Sequence, residues 1–405
     1  MFAIKGRSDA GLLNKAQVLP HNDQFITNLT PMRGIAAILV VIFHFEIVLV
    51  LFLPRDVSRF FSKCYLMVDL FFIMSGFIIY HVYGEFFKLN ILTKTFNKYI
   101  RARLARVYPL HVFTLLLTLV LVIIGHFKWD EFFTLHAIPT HLLMLQSFGI
   151  HSIYTWNVPA WSISAEFAAY MIFPLFTFLL SRFKIGTSVV VSALIMIIYC
   201  LLFFKISKAN GTTGQHNLDV TYDFGYLRGI AGFLSGALIY QLYQRNRLYF
   251  LRYDIVLIVL FGLLFTCLHL GVSDLLFIPV FLLLVLSAAY NTGSVKKVFA
   301  NRFLQWLGDI SYSVYLMQFP LMLLIIMILP HLGISWNGPY SLHLPYWQAA
   351  LCCFLFLALL IGISALSYRF IERPFRKLIN NKFNGIQWIP YKRTIRVSDP
   401  DNIPS

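Results

Sequence analysis

Charge is scarce in this chain. Of its 405 residues only 12% are Asp, Glu, Lys or Arg, about half the share of a soluble domain. Acidic groups are the rarer kind, 17 against 33 Lys and Arg, for a formal net charge of +16. So few charges cannot cover the surface of a large water-soluble protein, and a disordered chain is more polar still. Cysteine is sparse too: five occur, with no CxxC pair and no metal-type spacing, and they read as small apolar fillers. These absences exclude a cytosolic globular enzyme, a disulfide-rich secreted domain and a nucleic-acid-binding module. What is plentiful is apolar: 59% of the chain is hydrophobic and 40 residues are Phe. The apolar runs reach about 20 residues, the length of a bilayer-spanning helix, which excludes the short alternating segments of a barrel.

The chain therefore reads as an all-α polytopic membrane protein. About ten transmembrane helices are predicted, over 31–53 and near 64–84, 108–127, 160–181, 186–204, 224–243, 253–271, 275–291, 307–329 and 347–368. The stretch 137–150 is too short to cross and reads as interfacial or re-entrant. Residues 1–30 are polar and show no signal-peptide core. With the N-terminus in the cytoplasm, the inner segments hold 26 Lys and Arg and the outer ones 6. That asymmetry predicts both termini cytoplasmic and explains much of the basic balance. One transmembrane domain over 31–374 is expected between a cytoplasmic segment, 1–30, and a basic tail, 375–405, in a cell inner membrane.

Ionisable groups inside a bilayer are costly, and each is a functional candidate. Arg33 and His44 lie 11 residues apart on the first helix, which is about three turns, so they share a face. Glu46 points about 200° away from His44 and is left out of the site. Asp69 on the second helix and Glu166 on the fourth are expected at similar depth in the outer half, where they can converge on His44. A carboxylate beside a His orients the ring and stabilises its cation, which makes a general base. A purely structural polar network between helices would use the same residues. At the inner ends Arg33, Arg103 and Arg106 form a set suited to phosphate, although topology alone also places Arg there. Arg228 precedes Gly232 and Gly236, a small-xxx-small face that serves close helix packing. His126, His136, His141 and His151 populate one outer segment without a helical ligand spacing, so no metal is expected.

Five stretches make a recognisable set. They are Arg33 through His44 in R-x10-H spacing, Val68–Phe77 around Asp69, and Arg103-x-x-Arg106-x-Tyr108-Pro109. The others are Trp161–Glu166, and Leu307–Leu316 with Glu372-Arg373-Pro374. In this order the chain resembles the membrane-bound acyltransferase family 3, whose members O-acylate bacterial surface glycans and related substrates. The resemblance implies acyl-CoA, with acetyl as the acyl group, as a cytoplasmic donor held by Arg33, Arg103 and Arg106. It also implies His44, Glu166 and Asp69 as catalytic groups, and Trp161, Ser164, Arg228 and Tyr312 beside the substrate. The acceptor implied is a hydroxyl of a carbohydrate or lipid-linked sugar, reached among membrane lipids. The chain departs from the family at Gln318, where members often carry His. A neutral amide cannot act as a base. No appended esterase-like domain is expected. A transporter or flippase is the competing reading, but neither paired discontinuous helices nor an inverted repeat is visible.

Overall fold

The computed structural model describes residues 26–50, 57–182, 186–206, 216–246, 248–338, 342 and 344–381. The predicted N-terminal segment up to residue 25 and the tail beyond residue 381 lie outside the described residues. So do several cations used for the orientation, Arg55, Lys184, Lys208 and Arg247 among them.

Among the described residues the fold is helical, with no strand. The helices are α1 (Leu29–Val48), α2 (Met67–Phe87), α3 (Thr93–Ile124), α4 (Ile138–Leu142), α5 (Trp161–Arg182), α6 (Gly186–Leu201) and α7 (Gly225–Gln244). They continue as α8 (Asp254–Leu270), α9 (Phe277–Tyr290), α10 (Ser294–Phe299), α11 (Arg302–Ile328), α12 (Tyr346–Ser367) and α13 (Arg373–Asn381). Among the described residues six segments are long and apolar enough to cross a membrane: Leu29–Val48, Phe61–Phe87, Thr93–Ile124, Val158–Arg182, Arg302–Leu332 and Tyr346–Ile379. Ser188–Phe204, Asp254–Leu270 and Asp274–Tyr290 are apolar but shorter. Helix α7 has 20 residues, with Arg228, Ser235 and several Gly and Tyr diluting its apolar character. The third predicted span starts too late. Its helix begins at Thr93 and continues through Pro109, so Arg101, Arg103 and Arg106 stand on a helix and not before one.

Three close crossings hold the bundle together, each built on glycine. A Cβ on Gly236 of α7 would lie 1.9 Å from the Ile73 carbonyl of α2, and one on Gly76 would lie 1.8 Å from the Phe233 carbonyl. A Cβ on Gly308 of α11 would lie 2.0 Å from the Thr30 carbonyl of α1. Gly229 of α7 fits against Ala165 of α5 in the same way. In lipid the hydrophobic effect does not drive helices together, so such backbone approach, with its dispersion contacts, is a main source of association. Residue order along these contacts shows that the pairs run parallel: Asp69, Phe72 and Ile73 meet Arg228, Gly232 and Gly236 in turn. Thr30 meets Gly308 and His44 meets Gln318. The apolar side chains left exposed, such as Ile255, Val259 and Leu263 on α8 and Phe354, Leu355 and Leu359 on α12, suit a lipid boundary.

The stretch between α3 and α5 folds back into the bundle. Its short turns cover Leu135–Ala137, α4 and Val158–Ala160. Trp156 is fully buried and donates Nε1–H to the Thr134 carbonyl at 2.8 Å. Pro320 inside α11 removes the N–H that the Leu316 carbonyl would otherwise receive. Asn157 supplies a replacement, donating Nδ2–H to that carbonyl at 3.4 Å. This anchors the turn before α5 midway along α11. His111 of α3 donates Nε2–H to the His141 carbonyl at 2.8 Å, and His141 bonds Thr155. These histidines brace the plug, and among the described residues no cluster could hold a metal.

Candidate functional site

A cavity of about 130 Å³ opens between α1, α2, α3, α5 and α11. Arg33, Arg103, Arg106, Glu166 and Tyr312, five of the residues singled out in the sequence, line it together. The rest of the wall is largely apolar, with Phe71, Phe72, Ile78, Ile79, Val107 and Ile163.

The guanidinium groups are not equivalent. Arg106 meets Glu372 at 3.3 Å, and Glu372 also accepts from the Ser313 hydroxyl at 3.2 Å. Arg103 donates to the Tyr83 hydroxyl at 3.0 Å and lies over the Tyr83 and Tyr170 rings, while its buried Nε has no partner. Arg33 has no hydrogen-bond or ion-pair partner among the described residues. One carboxylate faces them inside the cavity. Glu166 Oε1 accepts from Ser75 at 2.6 Å and from Tyr170 at 2.5 Å. Two short donors to one oxygen fix the orientation of that carboxyl group. Tyr312 turns away from it and donates its hydroxyl to the Val107 carbonyl at 2.6 Å.

The expected convergence of His44, Asp69 and Glu166 does not occur. Half-buried His44 pairs through Nδ1 with Gln318 Oε1 at 3.1 Å and is not part of the cavity wall. Asp69 is fully buried and gives both oxygens to Arg228, at 3.0 Å from Nε and 2.7 Å from Nη2. Glu166 stands with the inner arginines, not at the depth of Asp69. The reason is the plug: α5 begins at mid-length of α11, where Ser162 and the Tyr315 hydroxyl bond at 2.9 Å. One turn into α5 is therefore already deep in the bundle.

Three residues expected beside the substrate are occupied elsewhere. Arg228, 1% exposed, is closed in by Asp69, by the Tyr65 and Val220 carbonyls and by the Trp161 ring at 5.3 Å. Trp161 is buried on that guanidinium. Ser164 bonds Ser147 and the Met144 carbonyl, tying the plug to α5. Ser75, Tyr170, Tyr83 and Gln318 join the expected residues only in the folded structure. Tyr170 was findable, four residues after Glu166 and so on its face. Ser75, a hydroxyl inside an apolar run, was a weaker signal. Tyr83 gave none.

A profile described as "Acyltransferase domain" matches residues 26–369. The protein is 43% identical over 86 residues to "Protein 2 in picA locus" of Rhizobium radiobacter, a match covering 21% of this chain and 40% of that protein. It is 32% identical over 117 residues to "Acyltransferase MdmB" of Streptomyces mycarofaciens, covering 27% of each. These matches thus span less than half the length of either relative. No solved structure matches.

Proposed function

Taking as premise that the chain belongs to the acyltransferase family 3 whose profile covers residues 26–369, we propose that it is an integral-membrane O-acyltransferase. It takes an acyl group, acetyl by resemblance, from cytoplasmic acyl-CoA and delivers it to a hydroxyl of a carbohydrate or lipid-linked sugar. The observation that carries this reading is the cavity's surplus of guanidinium donors, with Arg33 and the Arg103 Nε unpartnered beside a single carboxylate. Half-buried cationic donors without partners suit a polyanionic ligand, because an arginine fork grips phosphate in two places. The apolar wall above them suits a thin acyl-bearing arm. His44 is the proposed base, one stripe along α1 from Arg33. In this reading Glu166, bonded to Ser75 and Tyr170, keeps the arginine-lined end of the cavity in shape, and Asp69 holds α2 on α7 through Arg228. Nothing in this chemistry asks for a metal.

The proposed topology is ten crossings with both termini cytoplasmic, in a cell inner membrane, over one transmembrane domain at 31–374 with segments 1–30 and 375–405 in the cytoplasm. Helices that this scheme runs in the same direction, α1 with α11 and α2 with α7, pack parallel, which supports it. Reporter fusions after Lys128 are expected to read outside and after Asn381 inside. A fusion after Asn381 that reads outside would reverse every assignment of inner and outer ends.

Labelled acetyl-CoA tests the activity. Purified protein is expected to transfer or hydrolyse the acetyl group. Movement of a glycan or lipid without acyl chemistry would instead support a transporter. Arg33→Lys keeps the charge that sets orientation but loses the fork. It is expected to insert normally and to bind acetyl-CoA about tenfold or more weaker, since a bond to a charged group contributes about 1.5–3 kcal/mol. Unchanged affinity and transfer would make Arg33 topological.

A further inference from the structure

Gln318 lies on α11 facing α1, outside the cavity. It is 0% exposed and uses both ends of its amide. Its Nε2 donates to the Tyr315 carbonyl at 2.7 Å, and its Oε1 lies 3.1 Å from His44 Nδ1. A carbonyl can only accept, so the amide nitrogen must face Tyr315 and the amide oxygen must face the imidazole. An amide oxygen also only accepts. We infer that Gln318 is a positioning residue that fixes the neutral His44 ring with its proton on Nδ1 and its lone pair on Nε2.

This rests on the reading of His44 as the base and adds what that reading lacks. A neutral imidazole has two tautomers, and only the nitrogen without hydrogen can take a proton from an acceptor hydroxyl. The hydrogen bond made by one ring nitrogen decides which that is. A carboxylate in this place would set the same tautomer and would also stabilise the imidazolium. The amide sets the tautomer without adding a charge. The titratable groups on elements packed against α1 leave this arrangement alone. Asp69 on α2 is engaged by Arg228, Tyr65 before α2 donates to Asp274, and Tyr315 on α11 bonds Ser162. Cys64 donates to the Phe60 carbonyl. Cys353 on α12 and Glu46 on α1 itself are both buried, the latter two residues beyond His44.

The tautomer can be read directly. In detergent-solubilised protein labelled with 15N-histidine, the His44 signals, identified by their loss in His44→Gln, are expected to show hydrogen on Nδ1. Gln318→Met keeps the side chain's volume and removes both bonds. It is expected to release the tautomer and to lower kcat about 10–100-fold, the cost seen when a partner that orients a metal-ligating His is removed, with little change in KM for acetyl-CoA. Gln318→Glu restores an acceptor beside Nδ1. It is expected to recover kcat at high pH. Its carboxylate favours the imidazolium, so the acid limb of the rate profile should move up by about one to three pH units. Hydrogen on Nε2 in the unaltered protein, or a tautomer indifferent to Gln318→Met, overturns the inference whatever the activity shows. Full transfer by His44→Gln would remove His44 as the base and leave the tautomer result standing, so the two failures are told apart.

Discussion

Replacing His44 with alanine is expected to lower acyl transfer by about 10²–10⁴-fold, the usual contribution of a positioned acid or base. Expression and acetyl-CoA affinity should be kept, because His44 is separate from the arginine-lined cavity. The informative variant is His44→Gln. It retains a polar side chain that can still bond Gln318, so a His that merely satisfies a neighbouring helix should tolerate it. A base should not, since an amide nitrogen has no lone pair to offer. Transfer rates measured on size-exclusion-purified protein decide between them. Near-normal transfer by well-folded His44→Gln would leave the acyl path without an identified base.

The second large effect falls on stability. Arg228→Met is expected to destabilise the protein by about 3–5 kcal/mol, because it leaves Asp69 as a charge buried without its partner. Asp69→Leu should cost a similar amount by stranding the guanidinium. The pair Asp69→Leu with Arg228→Met should recover much of the loss, since neither charge then remains and groups in contact do not act additively. Thermal unfolding in detergent reads all three. If the double variant is as unstable as the sum of the singles, the pair is not what holds α2 on α7 at this end. If Asp69→Leu folds normally but loses acyl transfer, Asp69 belongs to the chemistry after all.

Helicity and residence in a membrane are legible in the residues alone, because those properties follow from local composition. A run of about 20 apolar residues must satisfy its backbone bonds internally once lipid replaces water. Each predicted span overlaps a helix, although α3 begins well before its span, and the shared face of Arg33 and His44 is a matter of 3.6 residues per turn. The grouping of Arg33, Arg103, Arg106, Glu166 and Tyr312 was half legible. Their types and motif order were visible, but not that they surround one cavity. Pairing was decided only by tertiary structure. Asp69 and Glu166 look alike in sequence, each a lone carboxylate toward the outer end of a predicted span, yet one is sealed against Arg228 and the other faces the arginines. Depth made the difference: the plug before α5, held by Asn157 on the carbonyl that Pro320 leaves free, starts that helix in mid-bundle. No local pattern carries such a register, because it depends on where two distant segments meet. The same holds for Gln318, which reads as a neutral substitution until His44 is found beside it.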